Sequence, residues 1–587
     1  MNAAENWRRA VRLRACVRRW IWRVGAASLF PALVNLQIQS QSNPSTTSST
    51  ARVSVHGVVL NAASGEPLAR ALVRMTGEGS PAMLTDGEGR FELTNVPTGA
   101  QQFAIVKPGY LDAIAEAAAA AGGDAKEFAH TVIVAAEMPD VTFRMAPANA
   151  IHGVVQLSTG DSAQGIEITL LKQTVQNGRF CWRAASTTRT DADGAYRFGG
   201  LTDGTYAVYN APAMENDTGG PAGASKTRSG YPSQFYSAAN DLSGAAKIQL
   251  QGGEQSEANL SLTLETFQPV TATAYTPDGA SRAPGDGPGL SAMVTDSQGR
   301  QLAYPTHYSG STHTVEAVLP DGSYSLVVTA GGSTLAARRG GIGSASREDG
   351  PYIGAAEFSV TRQAVTNLRI PLASAPRSAV QVSLTAGSSS SAGGENAVFL
   401  TMSQTGGWIG DGMTTAFASG SYPGTLTGSF PGPGSYWIHA NLPDKHVCEA
   451  GLTAGGTNLA REPLTLGVSG SAPPITLNLR NDCATLSLSL PGDAGGSGAG
   501  EEPFYTVYVV PDFDSTQDVV TQTLRASTGA KAMLQGLTPG SYHVYVFDTP
   551  VALAYRERSA LDALPAGQTI DLAPNQTGNL TLEVPKS

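Results

Sequence analysis

The sequence predicts an all-β protein: a tandem array of about five antiparallel Greek-key β-sandwich modules of the prealbumin or immunoglobulin type, preceded by an N-terminal export segment. Three observations predict it. A turn glycine recurs at Gly99, Gly204, Gly322, Gly434 and Gly540, spaced by roughly 105 to 120 residues, the size of one domain. After each turn an alternating strand closes the unit, at 141–145, 260–264, 368–372, 475–479 and 580–584. The composition suits short strands and tight turns: Gly and Pro are about 17% of 587 residues, apolar residues 41% and charged residues only 15%.

The N-terminus differs from everything after it. Arg8, Arg9, Arg12, Arg14, Arg18, Arg19 and Arg23 face one acid, Glu5, and an apolar stretch over 24–36 follows. A basic segment, a short apolar core and small residues near Ser40 and Ser42 read as a signal peptide or uncleaved membrane anchor over 1–42. The apolar core is shorter than the roughly 20 residues that span a bilayer. A Ser/Thr linker over 43–50 leads into the first module.

That module, 51–147, opens with a strand at 53–60, turns through 61–68 and strands again at 71–75. Thr85-Asp86-Gly87-Glu88-Gly89 makes a tight hairpin, and Val96-Pro97-Thr98-Gly99 turns the chain toward Phe103. Residues 111–121, alanine-rich and stopped by Gly122, read as a helical insertion. The second module, 148–265, repeats the pattern at Thr190-Asp191-Ala192-Asp193-Gly194 and at Gly204-Thr205-Tyr206. Modules follow at 266–373, 374–482 and 483–587. Linkers of a few residues predict modules set end to end as a stiff rod.

The run Val55-His56-Gly57-Val58, Gly65-Glu66-Pro67-Leu68, Thr85-Asp86, Gly89-Arg90-Phe91 and Val96-Pro97-Thr98-Gly99 resembles the carboxypeptidase regulatory-like domain. The likeness is good in the second module and degenerates through the last three. It implies an accessory prealbumin-like sandwich, grouped with carbohydrate-binding-like folds, of the kind found in tandem in bacterial envelope proteins. It does not imply peptidase activity, because the peptidase domain of that family is a separate α/β unit.

Without the leader's net +6 the formal charge falls from −10 to −16, which argues against nucleic acid as a partner. Of four cysteines, Cys16 is in the leader and Cys181 stands alone. Cys448 and Cys483 flank a module junction, where either a disulfide in an oxidising compartment or two buried thiols fit the spacing.

His446-Val447-Cys448-Glu449 fits the spacing of a zinc peptidase, with His543 downstream, but strand alternation turns His446 and Glu449 apart. The acidic turns at Asp86 and Asp191 lack the outer ligands of a calcium loop and serve hairpin geometry. His56-Gly57 and His152-Gly153 occupy equivalent positions, the glycine allowing close backbone approach. No metal or cofactor is expected. Tyr206, Tyr324, Tyr436 and Tyr542 fit tyrosine corners, ring buried and hydroxyl bonded to backbone.

The function expected is that of an exported, non-catalytic binding or scaffold protein of the periplasm, cell envelope or exterior, carbohydrate-binding or adhesive. Its partner would be a glycan or protein at the cell surface, with membrane contact only through the N-terminal anchor. Candidate ligand-binding aromatics are Trp182, Tyr231, Phe235, Tyr236 and Trp408. The alternatives are a purely architectural spacer and, third, a cryptic zinc peptidase.

Overall fold

The computed structural model describes residues 51–77, 79–112, 130–215, 227–275, 290–296, 301–309, 314–330, 352–385, 396–405, 414–467, 471–491, 500–525 and 531–585. The chain divides into two units, Met1–Ser49 and Thr50–Ser587, and the expected export segment lies outside the described residues. So does most of the alanine-rich segment, of which Leu111 belongs to the strand Tyr110–Asp112.

Ten sheets, two per module, carry almost all of the described structure. Arg558–Asp562 is the one helix among the described residues, and none there is long and apolar enough to cross a membrane. Strand alternation explains the sandwiches. Val141–Pro147 buries Val141, Phe143 and Met145 while Thr142 and Arg144 face water, and Ile475–Arg480 does the same with Ile475, Leu477 and Leu479. Five separate apolar cores result, centred on Phe143, Ile151, Val270, Ile438 and Leu486.

Pairing is antiparallel with one repeated exception. In every module the closing strand lies parallel to the opening strand: Gly57 with Val141, Val155 with Leu260, Ala272 with Leu368, Val380 with Ile475 and Leu486 with Gly578. A parallel first and last strand places a module's entry and exit at opposite ends, so the next module starts beyond it.

The glycine in each His-Gly pair makes this pairing possible in the first two modules. A Cβ on Gly57 would lie 2.2 Å from the Val141 carbonyl oxygen, and one on Gly153 would lie 2.2 Å from that of Ala258. The acidic hairpin turns are closed by their aspartate side chains bonding the turn's own backbone amides. Asp86 Oδ1 accepts from the amides of Glu88 and Arg90, and Asp191 Oδ1 from those of Asp193 and Ala195. The preceding threonines tie each hairpin to the neighbouring loop, Thr85 donating to Leu68 and Thr190 to Ala163.

The modules are not an end-to-end string. Residues 228–231 pair with Glu265–Tyr275 and so extend a sheet of the third module. The tip of the hairpin Glu167–Gln176 and Arg179–Arg189 reaches the fourth and fifth modules. Gly500–Glu501 of the fifth pairs with His130–Val134 of the first. Short linkers set where a module begins; they do not stop later surfaces from folding back onto earlier ones.

Candidate functional site

Four of the five candidate aromatics lie in the second module. Phe235 is buried, 5.3 Å from the Tyr209 ring, in a cluster with Leu171 and Ala207. Trp182 joins its edge, half-buried beneath the Lys247 ammonium at 5.1 Å. Tyr231 and Tyr236 pack against the main core of that module instead. The structure thus brings Trp182 and Phe235 together as a cover over one sheet. Trp408 lies outside the described residues.

A cleft of about 400 Å³ lies between the third and fourth modules. One wall is a sheet face of the third module, where Met293 pairs with Val327 and Thr295 with Ser325, and Ser325 pairs with Glu357 on the next strand. Side chains at paired positions share a face, so this wall presents hydroxyls, a thioether and a carboxylate. The other wall is the end of a fourth-module sheet, where Gln404 pairs with Tyr436, Thr405 with Ser435 and Ser435 with Thr465. Ser435 and Thr465 share a hydroxyl hydrogen bond of 2.8 Å.

The floor is the turn Pro431-Gly432-Pro433-Gly434. Tyr436 fixes it, its buried hydroxyl donating to the Gly432 carbonyl at 2.8 Å. Gly434 suits this turn because its φ of +144° is strained for any residue with a side chain. Among the described residues, the lining carries the carboxyl groups of Asp296 and Glu357 and no lysine, arginine or histidine. Such a surface accepts hydrogen bonds from hydroxyl, amide or ammonium donors.

A second cluster joins the second, fourth and fifth modules. The Arg179 guanidinium stacks 3.4 Å over the Trp437 ring, donates to the Ala460 carbonyl at 3.0 Å and faces Glu557 at 3.6 Å. Arg556 donates to the carbonyls of Asn177, Ser515, Thr516 and Gln517 at 2.5–3.2 Å. Glu449, wholly buried, accepts from the Thr516 amide at 2.9 Å and from its hydroxyl at 2.9 Å. Burial nevertheless holds the Glu449 carboxyl above its ordinary range, against the pull of those bonds.

His439 is buried beside these groups, and neither ring nitrogen has a hydrogen-bond partner. Burial first, then the positive charges of Arg556 and Arg179, push its pKa down to about 3; the nearby Thr516 backbone opposes this without completing a bond. Arg179 is lowered to about 10 by burial and by Arg556. These charges are engaged in joining modules.

The tempting His446–Glu449 pair is separated: His446 is exposed while Glu449 is buried against Thr516. No group of three potential metal ligands occurs among the described residues. Cys448 and Cys483 are bonded to each other, with Cα atoms 5.9 Å apart, and join the strand Cys448–Ala454 to the start of the fifth module. Neither the cleft nor the cluster was legible in advance, because each is built from modules distant in sequence. The one local signal was the Pro-Gly-Pro-Gly turn before Tyr436.

The strand, hairpin and turn order of the first module has a counterpart among known domains. Residues 54–132 match the carboxypeptidase regulatory-like domain. No curated protein matches the chain. Among solved structures, a Streptococcal ancillary pilin is 10% identical, covering 55% of this chain and 99% of the pilin at a TM-score of 0.19. The minor pilin GBS52 of Streptococcus agalactiae is 14% identical, covering 36% and 95% at 0.19. The Bacillus anthracis TIE protein is 11% identical, covering 74% and 73% at 0.15. Within the regulatory-like domain, His130 lies 3.2 Å from Asp112 and edge-on to Phe143, so its imidazole is part of the core wall.

Proposed function

We propose that this chain is an exported, non-catalytic binding protein of the cell envelope that holds a glycan between its third and fourth modules. The observation that carries the reading is the cleft lining: hydroxyls, a carboxamide and two carboxyl groups around a turn of proline and glycine, open to solvent and with no basic side chain among the described residues. Sugars present many hydroxyl donors to such acceptors, while Met293 and Val327 offer apolar surface to a pyranose face. The disulfide between Cys448 and Cys483 supports an oxidising destination.

An architectural role is favoured by a different observation, the guanidinium of Arg556 bonding four carbonyls across two modules. The readings separate in a glycan-array measurement on the full chain and on Thr465→Trp, which fills the cleft. A glycan bound by the parent and lost in the variant supports binding at the cleft. Absence of any bound glycan, or binding untouched by the substitution, overturns it and leaves the scaffold.

A further inference from the structure

The regulatory-like domain ends its second sheet on a strand that natural edges avoid. His130–Val134 reads His-Thr-Val-Ile-Val, with four consecutive β-branched side chains from Thr131 to Val134 and no lysine, arginine, carboxylate or proline. Val132 and Val134 are buried in the core, and the strand's inner side pairs with Gly99–Val106 along its whole length. Its outer side would leave a row of backbone donors and acceptors open to any extended chain.

The cover comes from the fifth module. Gly500 pairs with Ile133 and Glu501 with Val132, and the Glu502 amide donates to the Thr131 carbonyl at 2.9 Å. The contact is short and includes backbone pairing, which an extended segment in register can supply. Directly after it, Phe504–Pro511 enters a sheet of the fifth module. A segment seated this way on its own chain fits the same edge of an identical chain equally well.

We infer that the strand His130–Val134 is a strand-acceptor site whose partner is segment 500–502 of a second copy of this chain, joining the first module of one copy to the fifth of the next. The intramolecular segment competes at high effective concentration and wins in dilute solution. Exchange is favoured when copies are crowded or when the segment is transiently released. The contact is heterologous, so repeated exchange gives a ring or an open chain of molecules.

The test uses the full chain with Cys16→Ser as background and places Ile133→Cys and Gly500→Cys together or in separate copies. The double variant closes a disulfide within one molecule, which establishes the pairing. Mixing the two single variants, mildly destabilising and then restoring them before oxidation, yields a covalent dimer on a non-reducing gel. Its yield rises in proportion to protein concentration and is lost when the Gly500→Cys copy also carries Glu502→Pro, which removes the amide donor. No mixed dimer at any concentration, despite closure in the double variant, overturns exchange. Failure of the double variant to close overturns the acceptor site itself, as does a mixed dimer indifferent to Glu502→Pro.

Discussion

The Tyr436 hydroxyl donates to the carbonyl of Gly432, four residues earlier, and the ring is 1% exposed. The same reach recurs from Tyr206 to Thr202, Tyr324 to Pro320 and Tyr542 to Thr538. Each tyrosine ties the turn that precedes a central strand to that strand's core face. Phenylalanine keeps the ring and strands the carbonyl, so Tyr436→Phe is expected to cost about 1 kcal/mol. Hydrogen exchange around Gly432 should quicken while exchange in the first module stays as it was. Unchanged exchange at the turn would remove the hydroxyl from the account.

The close parallel approach at Gly153 admits no side chain. A methyl group would meet the Ala258 carbonyl oxygen at 2.2 Å and the Tyr196 ring at 3.0 Å, and the first of these is backbone. Tyr196 also donates its hydroxyl to that carbonyl, so both would have to move. Gly153→Ala is therefore expected to destabilise the second module by about 3 kcal/mol or more. Gly199→Ala, whose nearest neighbour is a flexible arginine atom at 3.9 Å, should be tolerated. Equal melting of the two variants in calorimetry would contradict the packing described.

Arg556 links the hairpin tip at Asn177 to the loop at Ser515, Thr516 and Gln517. Removing the guanidinium leaves several carbonyls without their charged donor. Arg556→Ala is expected to cost about 3 kcal/mol, with faster hydrogen exchange at 176–179 and at 515–517 together. Faster exchange at one of these segments alone would show that the arginine does not couple them.

His439 gives the junction a pH dependence. Its folded pKa is about 3, against roughly 6.5 for an unfolded histidine. Between those values the unfolded chain binds a proton that the folded chain refuses. Its contribution is thus present above about pH 6.5 and is lost as pH falls toward 3, by up to about 1.4 kcal/mol per unit. Glu449 and Asp518, both raised by burial, act with opposite sign in the carboxyl range. The comparison with His439→Phe isolates the histidine: the variant should lose less stability from pH 6.5 to 5 than the parent. Parallel melting curves against pH would sink this assignment.

What could be read in advance followed from short-range rules. Period-two alternation at 141–145 and 475–479 announced strands whose inner residues are Phe143 and Leu477, and those residues are fully buried. The glycine between His152 and Val154 announced a close backbone approach, found at Ala258. Aromatic residues are ambiguous by the same rules. The rings of Phe235 and Trp182 suit a ligand face or a core equally well, and only packing placed them over Leu171 and Tyr209. The end-to-end rod failed because linker length constrains neighbours in sequence and says nothing of Asn177 meeting Arg556.

The amino-acid order alone determined the β-sandwich unit, its repetition, the tyrosine ties and the acidic turns, since each depends on residues within one strand, hairpin or turn. The tertiary structure alone decided the parallel seam in every module, the cleft walled by Glu357 and Thr405, and the strand of module five lying on module one. Those features arise where surfaces far apart along the chain meet. Their free energy comes from desolvation and backbone pairing between partners that no local pattern names.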